Sequence, residues 1–179
     1  MKKDDIQKFE EYCSSLYEAF NSPLNISWEM NEKSLIGFFS IGSDYYKISC
    51  LRYDFNIWTY KFFFLDKNKD EFSQTSKGDT NNKMKVLSTI RAGMEYLINL
   101  ENPNGLIFMA SDDSEARKKI YFSFAEELEK KFKYKFLSNR KSNYQIYILY
   151  KNIDLDLVLN EIDKRSEEHT SELQSRVDI

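Results

Sequence analysis

Cysteine, histidine, glycine and proline are all scarce in this chain, and each shortage excludes something. There are two cysteines in 179 residues, Cys13 and Cys50. They are too few and too far apart for a disulfide framework, and they lack the paired spacing of a zinc site. Cys13 falls on the apolar face of an expected helix and Cys50 within an expected strand, so each reads as a small buried hydrophobe. A reducing, cytoplasmic compartment is the expectation that follows. Long apolar runs are missing too. Stretches such as Phe62-Phe63-Phe64-Leu65 fall far short of the ~18–20 residues a membrane span requires. The opening Met1-Lys-Lys-Asp-Asp leads straight into an amphipathic pattern with no apolar signal core, which predicts a soluble chain without a visible leader.

What the chain has instead is aromatic residues and balanced charge. It carries 12 Tyr and 14 Phe against 5 Gly and 2 Pro, a composition suited to a twisted sheet packed by helices. The formal net charge of −3 comes with both signs interspersed. Nucleic acid is therefore not the favoured partner, because phosphate contacts need clustered Lys and Arg. A membrane partner is not expected either.

The C-terminal segment stands apart. Arg165-Ser-Glu-Glu-His-Thr-Ser-Glu-Leu-Gln-Ser175 resembles the in-frame translation of a widely used sequencing-library adapter. Residues 165–179 are accordingly read as a non-native tail, and residues 3–164 as one α/β domain. His169, the one histidine, lies in that tail. The remainder has no histidine to activate a nucleophile, and neither cysteine has an obvious base.

Periodicity organises the rest. Ile6, Phe9, Cys13, Leu16, Tyr17 and Phe20 recur at helical spacing and predict an N-terminal helix. Alternating residues then predict an antiparallel meander of four strands: Ile26 to Met30, Leu35 to Ile41, Tyr45 to Arg52 and Asn56 to Leu65. The polar stretch 66–82 reads as a long loop. A helix follows over about 82–100, with Val86, Leu87, Ile90, Met94, Leu97 and Ile98 as its core face. Leu106 to Ala110 reads as a buried central strand. Asp112 and Glu115 have the spacing of a capping box for the next helix, whose expected stripe is Ala116, Ile120, Tyr121, Phe124, Leu128 and Phe132. Strands at 134–137 and 144–150, joined by the basic turn 139–143, and a short helix at 154–163 complete the pattern. The fold class is thus α/β (α+β): a mixed, mostly antiparallel sheet of about 6–7 strands, packed by two long helices and the N-terminal one.

This order of elements, over roughly Asn25 to Tyr150, resembles the GCN5-related N-acetyltransferase fold. More locally, Lys77-Gly-Asp-Thr80 leading into Met84-Lys-Val-Leu-Ser-Thr-Ile90 resembles a group of uncharacterised small phage proteins. Gly105-Leu-Ile-Phe-Met-Ala-Ser111 and Glu115-Ala-Arg-Lys-Lys-Ile-Tyr121 continue that likeness, and no activity travels with it. The acetyltransferase resemblance implies a turn before the long helix that holds the pyrophosphate of acetyl-CoA on its backbone N–H groups. Gln74 and Gly78 match the first two marks of that turn. Thr80 stands where its second small residue belongs, and Asp79 sets a negative charge beside the phosphates. The same resemblance puts a general-acid tyrosine near Tyr147 or Tyr150, a match that 12 tyrosines make easy by chance.

Two candidate sites follow. Gln74, Lys77, Gly78, Thr80, Asn81, Asn82 and Lys83 lie where a helix N-terminus offers free donors for an anion; structurally, Thr80 or Asn81 is simply the N-cap. Ser111, Asp112 and Arg117 lie at the carboxyl end of the central strand, where open α/β sheets favour ligands. There Asp112 is equally a cap, and Arg117 the one-turn neighbour of Tyr121. No catalytic or metal-ligating residue is assigned. The favoured reading is a phage or mobile-element accessory protein that binds a host protein or a small nucleotide-like ligand without catalysis. The alternatives are an N-acyltransferase using acetyl-CoA with a degenerate phosphate loop, and a structural or assembly protein forming a homo-oligomer through its aromatic strands.

Overall fold

The computed structural model describes residues 23–66, 71–73, 82–111, 115–141 and 143–164. The expected N-terminal helix and the 165–179 tail lie outside these residues. The chain forms two compact units, the first spanning 1–51 and 60–102, the second 52–59 and 103–179. Both are mixed α/β, with mostly antiparallel strand pairing.

In the first unit the meander runs through β1 (Ser27–Met30), β2 (Ser34–Ile41), β3 (Asp44–Tyr53) and β4 (Ile57–Asp66), adjacent in that order. Asn31 shapes the first turn, its side-chain oxygen accepting the N–H groups of Lys33 and Ser34 at 3.0 and 2.8 Å. Gly42 shapes the second, at a φ of 59° that a tight hairpin requires and glycine adopts without strain. Strand alternation then sends Leu35, Phe39, Tyr46, Ile48, Cys50 and Tyr60 into the core. The helix α1 (Lys83–Glu101) covers that face. Tyr60 donates its hydroxyl to the carbonyl of Ile90 at 2.8 Å, and Trp28 stacks on Tyr96 with centroids 4.9 Å apart. Trp28 sits opposite Gly37, where an added Cβ would come within 2.7 Å of the indole ring. Gly37 is there to let that ring lie flat across the strand.

The second unit holds β6 (Gly105–Ser111), α2 (Glu115–Phe132), β7 (Lys135–Lys141), β8 (Tyr144–Tyr150) and a short helix α3 over 155–164. The strand order within the unit is β6-β8-β7. Residues Ile146 to Leu149 of β8 are all buried, because both faces of that strand are covered. Tyr147 packs with Phe108 and with Tyr121 of α2 on one side. Ile146 and Ile148 join Ile57, Ile107 and Val158 of α3 on the other.

Several expectations shift. The stretch 66–82 contains a short strand, β5 (Glu71–Ser73), paired with the end of β4. The basic turn at 139–143 is mostly strand, since Lys141 pairs with Tyr144 and leaves a two-residue connection. On α1, Leu87 is half-buried while Ser88, Thr89 and Gly93 are buried. The two hydroxyls tolerate burial because Ser88 and Thr89 donate to the carbonyl of Lys85, and Thr89 also accepts the Leu24 N–H. The stripe of α2 is Tyr121, Phe124, Ala125 and Leu128; Ala116 is exposed.

Among the described residues, the Thr59 hydroxyl is buried without a hydrogen-bond partner. Valine has the same shape without the desolvation penalty. Thr59→Val is expected to raise unfolding free energy by about 1 kcal/mol, read by urea denaturation.

Candidate functional site

The sequence-derived sites can be placed only in part. Gln74, Lys77, Gly78, Thr80, Asn81 and Asp112 lie outside the described residues. In the first unit the N-cap of α1 is Asn82, at φ −97° and ψ −7°, one or two residues later than expected. Its side chain caps nothing, and no acidic residue occupies the first turn. Lys83 is exposed there. Among the described residues, then, neither the Asn82 side chain nor a first-turn carboxylate offsets the positive end of the helix, a setting that favours an anion.

In the second unit Ser111 ends β6 and Arg117 stands half-buried in the first turns of α2. The Arg117 charge acts on Tyr121, as one-turn spacing requires, but burial dominates and raises the Tyr121 phenol on balance. Glu115 pairs with Lys118 at the start of the same helix. Tyr147 donates its hydroxyl to the carbonyl of Lys118 at 2.8 Å, and burial pushes its phenol up to about 12. That hydroxyl is engaged in packing α2 onto β8. Tyr150 is half-buried, its ring 5.9 Å from the Lys135 ammonium.

Sequence reasoning missed a groove in the first unit. Its volume is about 610 Å³, and Leu24, Ile26, Phe38, Phe39, Tyr45, Tyr46 and Leu65 supply most of its lining, with Asn25, Ser27 and Ser40 as polar members. Phe39, Tyr46 and Phe62 stack on one another beneath it, with centroids 5.0 and 5.5 Å apart along the pile. Tyr45 and Phe38 remain 51% and 36% exposed. Burial and the Asp44 carboxylate raise the Tyr46 phenol, which stays a hydrogen-bond donor at neutral pH. The groove wall at Leu24 is tied to α1 through Thr89, which bonds in turn to Lys85 in the first turn. Aromatic walls with a few polar groups suit a flat, partly apolar ligand. The signal present in the sequence was the Phe38-Phe39 and Tyr45-Tyr46 doublets, each placing one ring inside and one outside the sheet.

Among the described residues no group of three or more His, Cys, Asp and Glu side chains is placed to hold a metal ion. None of their helices is long and apolar enough to cross a membrane. Cys50 is fully buried and its thiol is pushed far up by desolvation, so it is not a nucleophile. Comparison with protein-family models, with curated proteins and with solved structures finds no match.

Proposed function

We propose that the chain is an accessory protein of a phage or mobile element that works by binding, without catalysis, and that its ligand is small and nucleotide-like. The observation that carries this reading is the aromatic groove, whose wall is bonded to the first turns of a helix that has no acidic residue in its first turn. A heterocycle would lie in the groove against its aromatic rings, Tyr45 among them, with its phosphates towards the helix to which the Leu24 wall is bonded. The acetyltransferase-like order of elements belongs to the same proposal, as a scaffold that keeps a ligand seat before α1 while its phosphate turn carries Thr80 in place of a small residue. The Tyr147 hydroxyl, already given to Lys118, supports binding over acyl transfer.

Thermal unfolding with ATP and, separately, acetyl-CoA tests this. ATP at a hundredfold excess over its dissociation constant is expected to add about 2.7 kcal/mol of stability. Tyr45→Ala should weaken binding by about 1–3 kcal/mol, the worth of one stacked ring. Stabilisation by acetyl-CoA alone, or by neither compound, overturns the reading.

The assembly alternative has its own observation: Tyr45 and Leu51 share one face of β3 with Phe38 of β2, and all three are exposed. A stable oligomer by light scattering would favour it.

A further inference from the structure

Five described residues other than glycine adopt positive φ: Phe55, Asn56, Asn102, Lys133 and Asn152. Asparagine tolerates this region, and Lys133 directly follows the last turn of α2, where a left-handed residue is common. Phe55 has neither excuse. It occupies the three-residue connection from β3 to β4 at φ 59° and ψ 21°, next to Asn56 at φ 56°. Consecutive left-handed residues in a hairpin favour Asn-Gly, and a bulky side chain there is strained. The ring is not retained for the core, since it is 54% exposed.

The turn is nevertheless held firmly. Asn104 donates its side-chain amide to the Phe55 carbonyl at 2.9 Å and its backbone N–H to the Asn56 carbonyl at 3.0 Å. The Trp58 indole N–H donates to the Asn56 side chain at 3.0 Å. A strained turn fixed in this way presents an exposed aromatic ring at little entropic cost to whatever binds it.

Lysines gather at the same end of the second unit. The Lys151 N–H donates to the Asn104 carbonyl at 2.9 Å, which sets Lys151 beside the turn. Its ammonium lies 4.3 Å from the centre of the Tyr134 ring, and the Tyr134 hydroxyl donates to the Pro103 carbonyl at 2.7 Å. Lys135 pairs across the sheet with Tyr150, and exposed Lys133 precedes Tyr134. Among the described residues no carboxylate lies within ion-pair distance of Lys133, Lys135 or Lys151. Two of the three are instead positioned over aromatic faces.

We propose that this end of the second unit is a docking surface for an acidic protein segment, with carboxylates on Lys133, Lys135 and Lys151 and one apolar side chain on Phe55. Charge complementarity identifies the occupant. Exposed Asp54, in the same turn, favours a peptide with separated carboxylates over a continuous phosphate backbone. The surface uses none of the residues of the proposed ligand groove, so the two readings stand or fall separately.

The test is fluorescence anisotropy with the full chain and a labelled peptide of glutamates around a single leucine, run beside a labelled oligothymidine. The peptide is expected to bind, more weakly as salt rises. Lys133→Glu with Lys151→Glu, and separately Phe55→Gly, should each weaken it by about tenfold or more. Phe55→Gly should leave the thermal midpoint unchanged or raised, because glycine relieves the strained turn. Amide shifts in an NMR titration should map to residues 54–56, 133–135 and 151. Absence of peptide binding, equal binding by the variants, shifts confined to other residues, or binding of the oligothymidine alone would each overturn the proposal.

Discussion

Gly93→Ala should destabilise the protein by about 2 kcal/mol, although alanine is the better helix former by about 1 kcal/mol. Gly93 lies on the buried face of α1, and a Cβ there would run into the Tyr60 hydroxyl and approach the Ile48 side chain at 3.0 Å. That hydroxyl has no slack, being bonded to the Ile90 carbonyl one turn earlier. Displacing it strands a buried donor, which costs about 1–3 kcal/mol, and pushes the helix off the sheet. The explanation carries its own control. Tyr60→Phe removes the obstructing atom and should cost only about 1 kcal/mol, because the carbonyl it leaves keeps its helical partner. The double variant should therefore be more stable than Gly93→Ala alone, a coupling that a double-mutant cycle in urea resolves. Simple additivity would mean that Gly93 is not where helix and sheet touch.

That contact shows where the sequence was readable and where it was not. Val86, Ile90, Met94, Leu97 and Ile98 mark the buried face of α1 by their spacing, and all five are buried. Gly93 carries no hydrophobic signal. Its role is to leave room, and that room is defined by residues distant in the chain, Tyr60, 33 positions earlier, and Ile48. Ser88 and Thr89 were illegible for a related reason: a polar residue announces solvent, and bonds to the Lys85 carbonyl and from the Leu24 N–H reverse that. The β7–β8 connection misled in the other direction. Asn139-Arg-Lys has turn chemistry, yet pairing with Tyr144, Gln145 and Ile146 carries it as strand. Site legibility was lower again. The residues picked by motif were those nearest a helix start, whereas the groove depends on rings from β2 and β3 that no local pattern groups together. Phe55 could have been noticed, since Asp54-Phe55-Asn56 sits between two strands where glycine is the ordinary occupant.

The other large effect concerns Tyr147. Tyr147→Ala is expected to cost about 3–5 kcal/mol, the usual range for deleting a buried aromatic ring. The ring is 1% exposed and contacts Phe108, Tyr121 and Phe136, so no neighbour is free to collapse into the space. Tyr147→Phe keeps that packing and loses only the bond to Lys118, for about 1 kcal/mol. A catalytic tyrosine behaves in the opposite way, its phenylalanine variant keeping stability while losing turnover. The hydroxyl also predicts a pH dependence. The folded-state phenol sits at about 12 against an ordinary value of 10.0, raised mainly by burial and opposed by the Lys118 charge. A raised folded-state value means that the neutral form is the one the fold favours. Its contribution is complete below pH 10 and is lost as pH rises towards about 12. Urea midpoints measured across that window should fall with rising pH, and Tyr147→Phe should flatten the decline. An equally steep decline in the variant would assign it to the other buried phenols with raised values, Tyr46, Tyr121 and Tyr134, and would leave Tyr147 without the anchoring role argued for it.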